Sequence, residues 1–155
     1  AQSLAAMNAG ADAVVMMGRF MGLVPDIGSF APVLGTSAAY GGPWALPIVC
    51  RFLALSRRAV GPLRPLLGTN GVRSGADVLR MALAGAWAVE ASSVVMEQGF
   101  AALARLVAEL DALLAARDLR FADLVGRTAD ALAGYGEQAE RPGHWRSFVP
   151  PETLA

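Results

Sequence analysis

Between Pro65 and Ala116 the chain twice repeats one pattern: a short apolar run, a turn rich in Gly or Ser, then a helix. Pro65 to Thr69 (PLLGT) is the first strand candidate, Asn70 to Arg73 turns, and Ser74 followed by Asp77 resembles a capping box opening a helix over Gly75 to Ala84. Gly85 closes that helix, and Ala86 to Ser93 (AWAVEASS) supplies the next strand. Ala101 to Ala116 is the clearest helix, with Leu103, Leu106, Val107, Leu110, Leu113 and Leu114 on one face and Arg105, Glu109 and Ala116 on the other. The pattern also extends upstream. Residues 1–9 have helical spacing, Gly10 terminates them, and Ala11 to Met17 (ADAVVMM) suits a strand buried on both faces. A helix over Ala45 to Ala59 places Leu46, Val49, Phe52 and Leu53 on one side, and a last one covers about Phe121 to Ala133. Strands alternating with helices favour a parallel sheet with right-handed crossovers. Three such strands alone leave open edges, so a barrel fragment explains them better than a self-sufficient Rossmann-like domain.

Length agrees. At 155 residues the chain is shorter than the roughly 250 of a complete (β/α)8 barrel. With 55% hydrophobic and 17% charged residues it is globular, and its zero net charge without a basic run indicates neither nucleic acid nor an anionic membrane as partner. Cys50 is the one cysteine, no Cys/His cluster has metal-ligand spacing, and a reducing cytoplasm fits best. The uncharged stretch from Ile27 to Cys50 is interrupted by Gly28, Pro32, Gly35, Gly41, Gly42, Pro43 and Pro47, so it reads as a long loop against a buried site rather than a membrane span. Without an initiator Met or targeting pattern, the sequence reads as starting inside a domain. Residues 1–133 form the α/β unit, and 134–155, with Pro142, Pro150 and Pro151, an irregular tail in which His144 is a solvated histidine.

Chemistry concentrates at two strand ends. Gly68-Thr69-Asn70-Gly71 follows one strand, and its backbone N–H groups can approach an anion where no β-carbon intrudes. Ala91-Ser92-Ser93 follows the next, with Gly99 before another helix. Successive strand ends carrying small residues, hydroxyls and amides match the phosphate site that barrels build after strands seven and eight. Asp77 is a helix cap and Cys50 inert packing; Glu90 either pairs between sheet and helix, which is the preferred reading, or faces the barrel core. Arg19, at a strand's C-terminal end, suits either an anionic substrate or a surface ion pair.

The stretch Gly68 to Gly99 resembles the dihydroorotate dehydrogenase family, including the related domain of dihydropyrimidine dehydrogenase. Ala9-Gly10-Ala11-Asp12 with Val14-Val15 resembles that family's sixth strand, Tyr40-Gly41-Gly42-Pro43 its Gly-Gly loop, and Phe121 to Gly126 its last helical segment. The resemblance covers about residues 9 to 130. It implies the C-terminal half of a flavin mononucleotide (FMN)-binding (β/α)8 TIM barrel, with Gly41 and Gly42 beside the flavin and Gly68, Thr69, Asn70, Gly71, Ala91, Ser92 and Ser93 around its phosphate. Asn70 stands where the family has glycine, Ser92-Ser93 near its Gly-Thr, and Met17-Gly18-Arg19 where it has an asparagine that contacts pyrimidine substrates. The family's catalytic Cys or Ser and its flavin-contacting Lys fall in a region absent from this sequence, so no residue here is assigned catalysis. The implied activity is FMN-dependent oxidoreduction at a C–C bond of a small cyclic or carbonyl-conjugated substrate, poorly suited to dihydroorotate itself. The missing N-terminal half of the barrel is the implied partner, and homo-oligomerisation stays open. The competing readings are a phosphate-binding barrel without flavin and a non-catalytic half-barrel partner subunit.

Overall fold

A computed structural model describes residues 2–137 and Gly143; His144, Pro142, Pro150 and Pro151 lie outside the described residues. The chain runs α1 (Gln2–Asn8), β1 (Val14–Met16), β2 (Phe20–Gly22), β3 (Ala38–Tyr40), α2 (Leu46–Val60), β4 (Leu66–Gly68), α3 (Gly75–Leu83), β5 (Ala86–Val89), α4 (Ser93–Gln98), α5 (Ala101–Ala115), α6 (Phe121–Leu124) and α7 (Arg127–Asp130), with short 3-10 turns at Pro43–Ala45 and Tyr135–Glu137. The first part of the expected irregular tail therefore carries a turn of helix.

β1, β4 and β5 form a parallel sheet in the order β1-β4-β5, as the alternation of strands and helices predicts. This is the arrangement of part of a (β/α)8 barrel. On one face, α1, α2 and α3 cover the strands, and Met16, Val49, Leu53, Leu66, Met81, Ala86 and Val94 are buried in the core beneath them. The opposite face has no such cover. Val15, Leu67 and Ala88 lie side by side across it, and Val15 and Trp87 are 48% and 45% exposed. A closed barrel would turn this face inward. The strands are shorter than the apolar runs suggest. Met17 adopts a left-handed φ of 59° and ends β1, while β5 pairs with β4 across a register shift at Trp87 and ends at Val89.

Ser93 was expected to close a strand, but it opens α4, a helix that the sequence reading omits. The 27–50 segment is not an unbroken loop against a buried site. β2 and β3 pair antiparallel, the Tyr40 ring lies over Gly22, and the tip projects outward with Ile27 and Phe30 about 90% exposed. Absence of charge did not mean burial. The turn at the tip is held locally by Asp26 Oδ1, which accepts from Gly28 N–H (3.1 Å), Ser29 N–H (2.7 Å) and Ser29 Oγ (2.7 Å).

α5 is rotated relative to its apolar stripe. Ala102 and Leu106 are buried while Leu103 and Val107 are exposed, because α5 closes on α3 at Gly75, where a β-carbon would overlap the Leu110 backbone nitrogen. Glu109, expected on the solvent face, sits in this seam and accepts the Gly75 N–H at 2.7 Å. The last helix is broken in two. Gly126 has a left-handed φ of 82°, donates its N–H to the Ala82 carbonyl oxygen at 2.8 Å, and lies so close under Arg57 that a β-carbon would overlap the guanidinium. Arg57, itself buried, grips Asp130 of α7 through Nε (2.9 Å) and Nη2 (2.8 Å).

Candidate functional site

A cleft of about 500 Å³ opens at the C-terminal ends of β1, β4 and β5, where parallel sheets of this kind present their ligand sites. β1 contributes Val15 and the following Gly18 and Arg19, and the base of the β2–β3 hairpin contributes Ala39 and Gly41. Thr69, Asn70, Gly71 and Val72 enter after β4; Glu90, Ala91, Ser92 and Ser93 enter after β5. Seven of the nine residues singled out from the sequence thus line one cavity, with Gly42 and Gly68 beside it. Gly68 lies beneath, against Met81, Leu53 and Ala86, where a β-carbon would come within 2.6 Å of the Met81 sulfur. Its carbonyl oxygen receives the Glu90 N–H at 2.8 Å, which ties the ends of β4 and β5 together.

Asn70 links the hairpin base to the β4 turn. It holds a left-handed φ of 72°, which asparagine tolerates better than most residues, and its Oδ1 accepts the Gly42 N–H at 3.1 Å. Gly41 leaves the room for this contact, since a β-carbon there would sit 2.6 Å from that oxygen. The Asn70 Nδ2 is buried and donates to no described residue. Such an orphaned donor costs about 1–3 kcal/mol unless an acceptor arrives. Gly71, at φ 92°, packs directly on the backbone of Leu46, so its missing side chain serves the join between turn and α2.

The N-terminus of α3 is already satisfied. Ser74 and Asp77 form the predicted capping box; Asp77 Oδ2 accepts from the Arg73 and Ser74 N–H groups at 3.0 and 3.1 Å, and Glu109 takes the Gly75 N–H. Asp77 is the cap the sequence suggested. An anion in the cleft therefore meets the turn at Asn70–Val72 and the start of α4 rather than the start of α3. Ser92 and Ser93 make no side-chain cap to α4, leaving both hydroxyls exposed beside helix N–H groups that have no intrahelical acceptor.

α4 is anchored from outside the cleft. Glu97 receives Arg73 Nη1 at 3.0 Å and pairs with its Nη2, and Arg105 reaches Gln98 (2.9 Å), the Arg73 carbonyl (3.2 Å) and Glu109 (2.7 Å). The hydrogen bond from Arg73 holds the Glu97 carboxyl below its ordinary range, and the Gly75 N–H followed by Arg105 does the same for Glu109.

Glu90 stands in the cleft, exposed, and forms no ion pair among the described residues, contrary to the expected pairing. It follows the last residue of β5, and its place immediately after a strand end was the signal to weigh. Cys50 is half-buried against the core, and desolvation pushes its thiol up, in keeping with inert packing. Among the described residues no His/Cys/Asp/Glu cluster could hold a metal ion, and no helix is long and apolar enough to cross a membrane.

Comparison with curated proteins gives consistent relatives. The chain is 30% identical over 123 residues to the catalytic subunit of dihydroorotate dehydrogenase B (NAD(+)) of Saccharolobus solfataricus, covering 78% of this chain and 41% of that protein. It is 36% identical over 108 residues to the corresponding subunit of Carboxydothermus hydrogenoformans, with 68% and 34% covered. It is 33% identical over 127 residues to dihydroorotate dehydrogenase A (fumarate) of Lactobacillus helveticus, with 79% and 40% covered. The chain is related to the dihydroorotate dehydrogenase family. No protein-family model matches it. The chain spans 34–41% of the length of these dihydroorotate dehydrogenases, so the relationship concerns part of such a protein.

Proposed function

We propose that this chain is the C-terminal, FMN-phosphate-binding half (residues 1–133, followed by a tail from 134) of a dihydroorotate dehydrogenase-like oxidoreductase. It acts on a CH–CH bond of a small cyclic or carbonyl-conjugated substrate. The observation that carries the reading is the convergence of Thr69–Gly71 and Ala91–Ser93 on one cleft at adjacent strand ends. The donor set fits a phosphate-bearing ligand: two free serine hydroxyls, helix N–H groups, and the orphaned Asn70 amide nearby. The cleft volume of about 500 Å³ falls within the range of cofactor pockets.

In this reading Ser92, Ser93 and the first turn of α4 bind the phosphate, and Asn70 fixes the Gly41–Gly42 backbone beside the ring. Bound there, the flavin would supply two-electron hydride acceptance. The open apolar face of Val15, Leu67, Trp87 and Ala88 excludes water once the N-terminal half of the barrel covers it. The proton-transfer residue belongs to that other half. The compartment proposed is the cytoplasm. The test is the visible absorbance of the intact purified protein and its titration with FMN and riboflavin. Flavin bound in near-stoichiometric amount, with FMN preferred, supports the proposal. A colourless protein that binds other phosphates favours a phosphate-binding barrel without flavin, and one that binds neither favours a non-catalytic half-barrel.

A further inference from the structure

We infer that Glu90 selects the protonation state in which the cleft accepts a phosphate: a monoester bound there keeps its second proton, and that P–O–H group donates to the Glu90 carboxylate. The inference rests on the proposed phosphate site beside Ala91–Ser93. It adds a selection against dianions that hydroxyl and amide donors by themselves would not make.

Glu90 lines the same cleft as Ser92 and Ser93 and is exposed in it. Even a fully extended chain puts no more than about 11 Å between the α-carbons of Glu90 and Ser93. Its backbone is pinned, because the Glu90 N–H is bound to the Gly68 carbonyl oxygen at 2.8 Å just beyond the end of β5. The carboxylate therefore belongs to the same wall as the serine hydroxyls.

No cation on that wall offsets it. Arg73, on the turn after β4, pairs with Glu97, and Arg105 of α5 is taken up by Gln98, Glu109 and the Arg73 carbonyl oxygen. The hairpin base, the turn after β4 and α4 bring no charged residue into the lining of the cleft. Arg19, which enters after β1, is the other charged residue of that lining, and it forms no ion pair with Glu90.

A carboxylate accepts hydrogen bonds and has none to give. A phosphate dianion likewise offers acceptors alone, so beside Glu90 it meets repulsion. The monoanion retains one O–H and turns the same approach into a charge-assisted hydrogen bond, while its other oxygens remain for the Ser92 and Ser93 hydroxyls. A phosphate monoester loses its second proton near pH ~6, so both forms are available close to neutrality. Sulfate, a dianion with no proton to give, is rejected by the same rule.

The test is calorimetric titration of the intact apo-protein, as wild type and as Glu90→Gln, a near-isosteric change of an exposed side chain. FMN and riboflavin are compared between about pH 6 and about pH 8, and inorganic phosphate and sulfate at about pH 6. Because the monoanion fraction falls about tenfold per pH unit above about pH 6, wild-type FMN affinity should fall at least about tenfold across that range, with riboflavin constant within about twofold. Glu90→Gln should tighten FMN about tenfold at the alkaline end and abolish the fall. It should also remove a wild-type preference for phosphate over sulfate of about tenfold or more. Wild-type FMN affinity that is flat or rises with pH overturns the inference, as does equal FMN affinity of the two proteins at the alkaline end. Equal weakening of FMN and riboflavin in Glu90→Gln also overturns it and assigns Glu90 to the hydroxyl-bearing chain of the flavin. A protein that prefers phosphate to sulfate but binds no flavin defeats the flavin reading and leaves the role of Glu90 standing. One that binds neither phosphate nor FMN overturns both.

Discussion

Replacing Ser93 with Asp should move stability and cofactor affinity in opposite directions. Ser93 is the first residue of α4, exposed, and lines the cleft, so a carboxylate fits there without displacing any packed atom. A negative charge in the first turn of a helix stabilises it by about 0.3–1 kcal/mol. The same charge faces the proposed phosphate. Two unit charges about 5 Å apart at an effective dielectric of about 20 repel by about 3 kcal/mol, and solvent in an open cleft roughly halves that. FMN affinity should therefore fall about 10- to 150-fold, corresponding to about 1.5–3 kcal/mol. Riboflavin, which lacks the phosphate, should bind within about twofold of wild type. The assay is a fluorescence titration of the intact apo-protein with both flavins, alongside thermal unfolding. A variant at least as stable as wild type whose FMN affinity is unchanged would refute the phosphate assignment of this strand end. Gly71→Glu is a weaker test, because the new β-carbon would lie 2.8 Å from the Leu46 nitrogen at a left-handed φ and disturb the fold before any charge acted.

Asp130→Ala strands the buried Arg57 cation and should cost on the order of 1–3 kcal/mol in urea unfolding, the half-exposed carboxylate keeping the loss below that of a fully buried pair. The hydrogen bond from Arg57 lowers the folded-state pKa of Asp130, so its contribution is complete above the ordinary value of 3.8 and is lost as pH falls through the depressed one; Asp130→Asn should flatten that part of the stability profile, and an unchanged acid limb would contradict it. Expressed alone, residues 1–155 should self-associate through the open face at Val15, Leu67, Trp87 and Ala88, and a monodisperse monomer with cooperative unfolding would argue against a partial barrel. The intact protein should turn over dihydroorotate poorly, since Gly18 offers no side-chain amide to a pyrimidine and each missing hydrogen bond costs about 1–3 kcal/mol; turnover of dihydroorotate comparable with any other substrate would overturn this.

What was legible in the sequence is what short-range chemistry dictates. Ser74 and Asp77 announce the start of α3 because a capping box is completed within four residues, and Gly85 marks its end for the same reason. The strand end at Gly68 was legible because small residues between an apolar run and a helix have few other uses, whereas β5 stops at Val89 and Ser93 already belongs to α4. What escaped depends on partners distant in sequence. The apolar stripe of α5 pointed to Leu103 and Val107, but the close approach of Leu110 to Gly75, 35 positions earlier, sets the helix rotation and draws Glu109 into the seam. Gly126 interrupts a helical pattern because Arg57 occupies the space above it. The hairpin was hidden by composition, since strands of three residues among Gly and Pro carry too little alternation to register. Asn70 shows how the two kinds of information combine. The family resemblance implies an asparagine in a glycine's place; its bond to Gly42, 28 positions away, shows that Asn70 joins two walls of the cleft and leaves one donor buried without a partner among the described residues.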